Sequence, residues 1–146
     1  MNVLELCDRE IPAVPLEASV ADAIRMMLDL HVGAVSVVDG ERRVAGIFTE
    51  RDVLQKVSLS GRNPAAMPVR EVMTTPVEMA TLTTSAGEAL ATMLEQHYRH
   101  LPIVDDQGKL LGMLSIRHLL QWRVDDLTRE LDALEQYTAS DGIGGD

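Results

Sequence analysis

The chain has 146 residues, 46% of them hydrophobic and 25% charged, and its 13 Lys and Arg against 23 Asp and Glu leave a net charge of −10. This composition suits a folded globular protein and excludes disorder and low complexity. The acidity, with only 3% aromatic residues, argues against nucleic-acid binding, which depends on neutralised phosphates and stacked bases. The lone cysteine, Cys7, rules out an internal disulfide and a multi-thiolate zinc site. No apolar run nears the roughly 20 residues that span a bilayer. No basic-then-apolar leader precedes Glu5 and Asp8, so a cytoplasmic protein without membrane contact is expected.

In chain order, Ser19 followed by Asp22 reads as a helix N-cap pair, and Ala23, Ile24, Met27 and Leu30 recur at helical spacing. Ala34 to Val38 is a short β-rich run, Asp39-Gly40 a turn, and Val44 to Phe48 a second strand. Thr49 caps a second helix carrying Val53, Leu54 and Val57. Gly61-Arg62-Asn63-Pro64 and Met67-Pro68 read as a connecting loop. Val69 to Met73 is then a helical turn and Pro76-Val77 an extended stretch. Ser85 and Glu88 repeat the cap pair before Ala89, Leu90, Met93 and Leu94. Leu101 to Val104 and Leu110 to Leu114 are strands around the turn Asp105-Asp106-Gln107-Gly108, and Ser115 caps a helix bearing Leu119 and Leu120. Leu120, Val124, Leu127, Leu131 and Leu134, spaced 4, 3, 4 and 3, form a heptad-like seam that must pack on the module, a dimer mate or a partner, the mate being preferred. Ala139 to Asp146, with three glycines, is expected to be a disordered tail.

These segments form a repeat. At a fixed offset of 66 residues, without gaps, Ser19, Ala23, Met27, Leu28, His31, Val38, Asp39, Gly46, Arg51 and Leu54 meet identical residues from Ser85 to Leu120. That is about ten identities in about 36 positions, where chance gives about two. A helix–strand–strand–helix unit of this size cannot cover both faces of its sheet, so two copies sharing a core are expected. The predicted fold is therefore α+β, with two repeated units packed sheet to sheet as one pseudo-symmetric module plus a C-terminal amphipathic helix. The divisions are 1–62 and 69–124 for the repeats, 63–68 for a linker, 125–138 for the helix and 139–146 for the tail.

One segment carries recognisable chemistry. A strand leading through Gly46 into a Thr49-capped helix presents free amides and the positive helix end, suited to phosphate. The Thr49 hydroxyl and Arg51 add donors, and Asp52 is an acceptor-only group able to take both hydrogens of a ribose diol. The same residues also read as an ordinary capped first turn.

Gly46-Ile47-Phe48-Thr49-Glu50-Arg51-Asp52 resembles the Gly-x-x-Thr/Ser-x-x-Asp signature of CBS domains, the regulatory units named after cystathionine β-synthase. Tyr98-Arg99-His100-Leu101-Pro102-Ile103-Val104-Asp105 is similar to the family's basic-Leu-Pro-Val-Val-Asp strand, and Val72-Met73-Thr74-Thr75-Pro76-Val77 to its lead-in segment. The resemblance runs from about residue 5 to 122, as a tandem pair (a Bateman module) of the free-standing bacterial or archaeal type. It implies a non-catalytic module that binds AMP, ADP or ATP between the repeats and reports energy or metabolite status to a partner protein. Alternatives are S-adenosylmethionine, NAD(H), or a ligand-free interaction and dimerisation module. No obligatory cofactor is expected, and free-standing pairs of this kind often form homodimers.

By the same resemblance the main site comprises Phe48, Thr49, Arg51 and Asp52, with Thr75, Pro76 and Val77 around the base and Tyr98, Arg99, His100, Leu101 and Pro102 from the second repeat. Arg99 and His100 are the implied phosphate contacts, although Arg99 also reads as a solvated charge at a strand start. A weaker twin site would use Val32, Gly33, Ala34, Ser115, Arg117 and His118. There His118 stands where the family carries its ribose carboxylate, and a neutral imidazole offers only one acceptor. Unequal sites are expected.

Other signals carry less. His97 and His100 lack the partners of a metal set, and His31 and His97 at helix ends suit the dipole there. Cys7 reads as a packed thiol. No phosphate loop, nucleophile elbow or zinc-helix motif is present in the sequence.

Overall fold

The structure, a computed structural model, describes residues 2–140, with side chains to residue 138. Its elements are β1 (Ala13–Pro15), α1 (Val20–Leu30), β2 (Ala34–Val38), β3 (Val44–Thr49), α2 (Glu50–Asp52), β4 (Ala80–Thr81), α3 (Ala86–Gln96), β5 (His100–Val104), β6 (Leu110–Ser115) and α4 (Ile116–Ser140). Short 3₁₀ turns precede β1 at Val3–Leu6 and follow α2 at Pro64–Ala66 and Val69–Glu71.

The local rules act twice. Ser19 Oγ accepts the Asp22 amide at 3.0 Å while Asp22 accepts the Ser19 amide at 3.3 Å, satisfying two amides that open α1. Ser85 Oγ accepts the Glu88 amide at 3.0 Å to open α3. In the first hairpin Asp39 Oδ1 accepts from the Glu41 and Arg43 amides, each at 2.9 Å. Asp105 Oδ1 does the same for Gln107 at 2.8 Å and Lys109 at 2.9 Å. The left-handed residue of the first turn is Arg42, φ 64°, rather than Gly40; its counterpart is Gly108, φ 81°.

Each sheet has three strands, in the orders β1-β2-β3 and β4-β5-β6. β2 runs antiparallel to β3, and β5 to β6. The added strands β1 and β4 lie parallel to β2 and β5, each reaching its partner through one helical crossover neighbour. The sheets meet around a local two-fold. Arg43 pairs with Lys109, the Val44 amide donates to Gly108 O at 3.1 Å, and Leu110 to Arg42 O at 3.0 Å. Ala34, Ile47 and Met113, with Val77 against them, fill the contact.

The cores are not divided at residues 63–68. Val14, Val20, Met27, Val35 and Phe48 pack with Met67, Val69 and Val72, which follow the first repeat in sequence. The second core, Met93, Leu101, Ile103, Leu114 and Leu119, buries Val3. Each lead-in segment thus crosses to the other repeat, and Met67, read as linker, is 2% exposed. Burying one such side chain contributes about 1.5–3 kcal/mol, so the crossings fasten the halves together. Glycine makes the crossing possible. A Cβ on Gly46 would lie 2.4 Å from Met73 Sδ, and one on Gly112 2.9 Å from Leu4 Cδ1.

After β3 the helix widens at once. Glu50–Asp52 is α-helical, whereas Val53–Val57 is a π-turn closed by Ser58 N–H to Val53 O at 2.9 Å. After β6 there is no interruption: the predicted second helix and C-terminal helix are one continuous α4. The expected tail begins inside that helix at its first two residues, and 141–146 lie outside the described residues.

Candidate functional site

Two equivalent corners arise where β3 enters α2 and β6 enters α4. At the first, Asp52 is 3% exposed. It accepts from the Thr49 amide at 3.0 Å and hydroxyl at 3.2 Å, and from the Thr74 hydroxyl at 2.9 Å. Lys56 Nζ lies 3.0 Å from its Oδ1 and donates to Val72 O at 2.9 Å. The carboxylate is therefore fully partnered within the chain, and a ribose diol would have to displace Thr74 or Lys56 to reach it. Arg51, Thr75 and Pro76 are exposed nearby, and Val77 is half-buried. Tyr98 is exposed, whereas the side chains of Phe48 and Leu101 belong to the two cores and Pro102 is buried.

At the second corner an imidazole does the carboxylate's capping work. His118 Nδ1 accepts the Ser115 amide at 3.0 Å and lies 2.9 Å from its hydroxyl, while the His118 amide donates to Ser115 Oγ at 3.3 Å. Accepting at Nδ1 places the neutral ring's proton on Nε2. That nitrogen is buried and lacks a hydrogen bond among the described residues; Asp8 Oδ2 lies 3.3 Å away but out of line. Arg117 Nη2 lies 3.4 Å from the same oxygen.

A cavity of 240 Å³ opens at this corner, lined by Val32, Gly33 and Glu50 from the first repeat and Arg99, His100, Ser115, Arg117 and His118 from the second, together with Asp8, Glu10 and Pro12. It thus gathers five of the six residues expected of the twin site, all but the buried Ala34, together with Arg99 and His100 from the expected main site. An apolar groove of 570 Å³, with Ile24, Met27, Leu28, Val53 and Leu54, shares Val32, Gly33 and Glu50 with it. Gly33 sets the width between the halves, because a Cβ there would stand 3.1 Å from Glu50 Oε1 and 3.2 Å from His100 Cε1. The sequence reading missed Asp8, Glu10 and Glu50.

Burial, followed by the charges of His118 and Arg99, pushes His100 down to about 4. It is neutral in the fold at neutral pH, so its contribution to stability is complete above about 6.5 and lost as pH falls from 6.5 towards 4. The urea midpoint of the wild type should fall over that window more than that of His100→Gln. Parallel curves for the two proteins would remove His100 as the cause. Burial, then the Asp8 charge, pushes the Cys7 thiol up to about 12, the environment of a packed thiol rather than a nucleophile.

The family model for the CBS domain matches residues 3–59 and again 69–125. The chain belongs to the CBS domain family. As a CBS pair it is 31% identical over 142 residues to an uncharacterized 17.7 kDa protein of Acidianus ambivalens, covering 97% of this chain and 85% of that one. It spans only about 60% of two other curated relatives, 62% of one from Methanopyrus kandleri and 59% of one from Arabidopsis thaliana. A protein with CBS domains from Burkholderia ambifaria superimposes with a TM-score of 0.76 at 39% identity, over 85% of this chain and 92% of that one. A CBS domain protein of Pyrobaculum aerophilum complexed with AMP superimposes with a TM-score of 0.73 at 23% identity, over 81% and 89%. CBS pairs are regulatory and often bind adenosine ligands. Among the described residues of this pair no helix is long and apolar enough to cross a membrane.

Proposed function

We propose that this CBS pair is a non-catalytic regulatory module that binds an adenosine-containing nucleotide (AMP, ADP or ATP) between its repeats and reports energy or metabolite status to a partner protein. What supports this is the cavity at the His118 corner, built from both repeats and lined by both donors and acceptors. Arg99 and Arg117 meet the phosphate as charge-assisted donors, and Ser115 stands at the positive end of α4. A ligand there contacts both repeats, so it favours one angle between them. That differential affinity is what a signal requires, since a ligand binding two states equally shifts nothing. The Asp52 corner is a second position, with Thr49, Arg51, Thr75, Pro76 and Val77, which fills only when Thr74 and Lys56 release the carboxylate.

Calorimetric titration with AMP, ADP, ATP, S-adenosylmethionine and NADH tests the reading and ranks the ligands. Arg99→Ala should weaken binding of the preferred nucleotide about tenfold, the loss of one charge-assisted contact. No heat from any of the five would leave only the ligand-free interaction module.

We further propose a homodimer. Leu28 and Leu94 occupy equivalent places at the 66-residue offset, as do Leu54 and Leu120, and all four are exposed. Val124, Leu127, Leu131 and Leu134 extend the apolar surface along α4, also exposed. Contiguous exposed leucines mark an interaction surface, and a surface already duplicated by the internal two-fold suits a second copy of itself.

A further inference from the structure

The two corners are duplicates in which donor and acceptor have changed places. At the first, the acceptor Asp52 sits on the capping turn and the donor Thr74, 2.9 Å away, on the crossing segment. The 66-residue offset takes Asp52 to His118 and takes Thr74 back to Asp8. At the second corner the donor is therefore on the turn and the acceptor on the crossing segment. The first pair is closed by its own hydrogen bond and by Lys56. The second is open: Trp122 stands in the place of Lys56, His118 Nε2 has no hydrogen bond among the described residues, and both members face the 240 Å³ cavity. The His118 side chain is only 9% exposed and Asp8 is 55% exposed, so the ring is fixed while the carboxylate has room to swing outward.

A buried N–H without an acceptor carries the full penalty of its lost hydration, and a ligand that relieves it must also suit the carboxylate beside it. A phosphate oxygen accepts from the imidazole but is repelled by Asp8. An ammonium does the reverse. A hydroxyl does both, because it accepts and donates at one oxygen. We propose that His118 and Asp8 together form a sugar-hydroxyl subsite. One hydroxyl of a vicinal diol accepts from His118 Nε2 and donates to one Asp8 oxygen, its neighbour donates to the other oxygen, and the anionic end of the ligand lies towards Arg99 and Arg117. This rests on the nucleotide reading above and gives to a pair of residues the task of a single carboxylate. It also accounts for acidic and basic groups sharing one cavity.

The test is calorimetric titration of the full chain with AMP and with 2′,3′-dideoxyadenosine 5′-monophosphate, for the wild type and Asp8→Ala. Asp8 is half exposed and its ion pair with Arg117 lies at the surface, so the variant should fold; thermal unfolding checks this. The wild type should bind AMP about tenfold more tightly than the dideoxy analogue. Asp8→Ala should abolish that preference by weakening AMP alone, leaving the analogue within about twofold of its wild-type affinity. An equal loss for both ligands, or tighter AMP binding by the variant, overturns the subsite while leaving the nucleotide function standing. A wild type that binds neither ligand overturns both.

Discussion

Replacing Asp52 with alanine is expected to lower folding stability by about 2–4 kcal/mol, read from urea unfolding at neutral pH. Two losses combine. The Thr49 hydroxyl still accepts the amide of residue 52, so only the reciprocal half of the capping box goes. The Thr49 amide and the Thr74 hydroxyl are then left without their acceptor in a corner where Asp52 is 3% exposed, at about 1–2 kcal/mol each. Lys56 adds little, because its side chain is 38% exposed and turns to water when the carboxylate goes. His118→Ala supplies the comparison, since it removes the equivalent cap without stranding a Thr74 or a lysine and should cost about 1 kcal/mol. Equal losses in the two variants would mean that the Thr74 link carries no energy. The pair also separates structure from binding. If still-folded Asp52→Ala protein keeps its nucleotide affinity, the ligand sits at the His118 corner. If that affinity collapses, the ligand sits at Asp52.

The repeat was legible because caps, turns and strand ends are local and were written twice in one register. Ser19 with Asp22 and Ser85 with Glu88 need only three residues to state a helix start. The third strands were not legible. Ala13–Pro15 and Ala80–Thr81 are too short to show alternation, and Pro15 argues against a strand unless it lies at an edge, where β1 does lie. The continuity of α4 had a visible cue, the absence of Gly and Pro from Ile116 to Ser140, but the heptad-like seam from Leu120 to Leu134 by itself reads as a separate helix. The crossing of the lead-in segments is a non-local fact, and Gly46 and Gly112 marked it only as a need for close approach. Lys56, one turn beyond Asp52, could be read as its partner from spacing alone. Thr74 could not, being 22 residues away. Asp8 matches Thr74 at the same 66-residue offset but lies before the window from Ser19 to Leu54 that carries the identities. The capped-turn reading of Asp52 anticipated Thr49 as its partner, but a buried carboxylate demands further donors from its own fold, and these are Thr74 and Lys56.

Leu54→Glu should convert the proposed dimer into monomers, raising its dissociation constant more than a hundredfold by sedimentation over a range of concentrations. Each leucine buried on association contributes about 1.5–3 kcal/mol. In a two-fold interface every substitution acts twice, so one change removes at least about 3 kcal/mol, a factor above a hundred. A glutamate pressed into that face adds the cost of a desolvated charge. The monomer should be unharmed, because Leu54 is 72% exposed and contributes little to either core. Its counterpart Leu120, 52% exposed, gives a second route to the same result through the other repeat. A wild type that sediments as a monomer at every concentration would remove the dimer outright, and a Leu54→Glu protein that stays dimeric would move the interface elsewhere. The apolar groove shares Val32 and Gly33, in the loop between α1 and β2, and Glu50 of α2 with the 240 Å³ cavity, so the proposed association and the proposed ligand binding would act on the same residues. A ligand that shifts that loop alters the dimer face, and by linkage the dimer alters ligand affinity by the same factor. Measured together, AMP affinity should therefore differ between wild type and Leu54→Glu; identical affinities would separate the two surfaces.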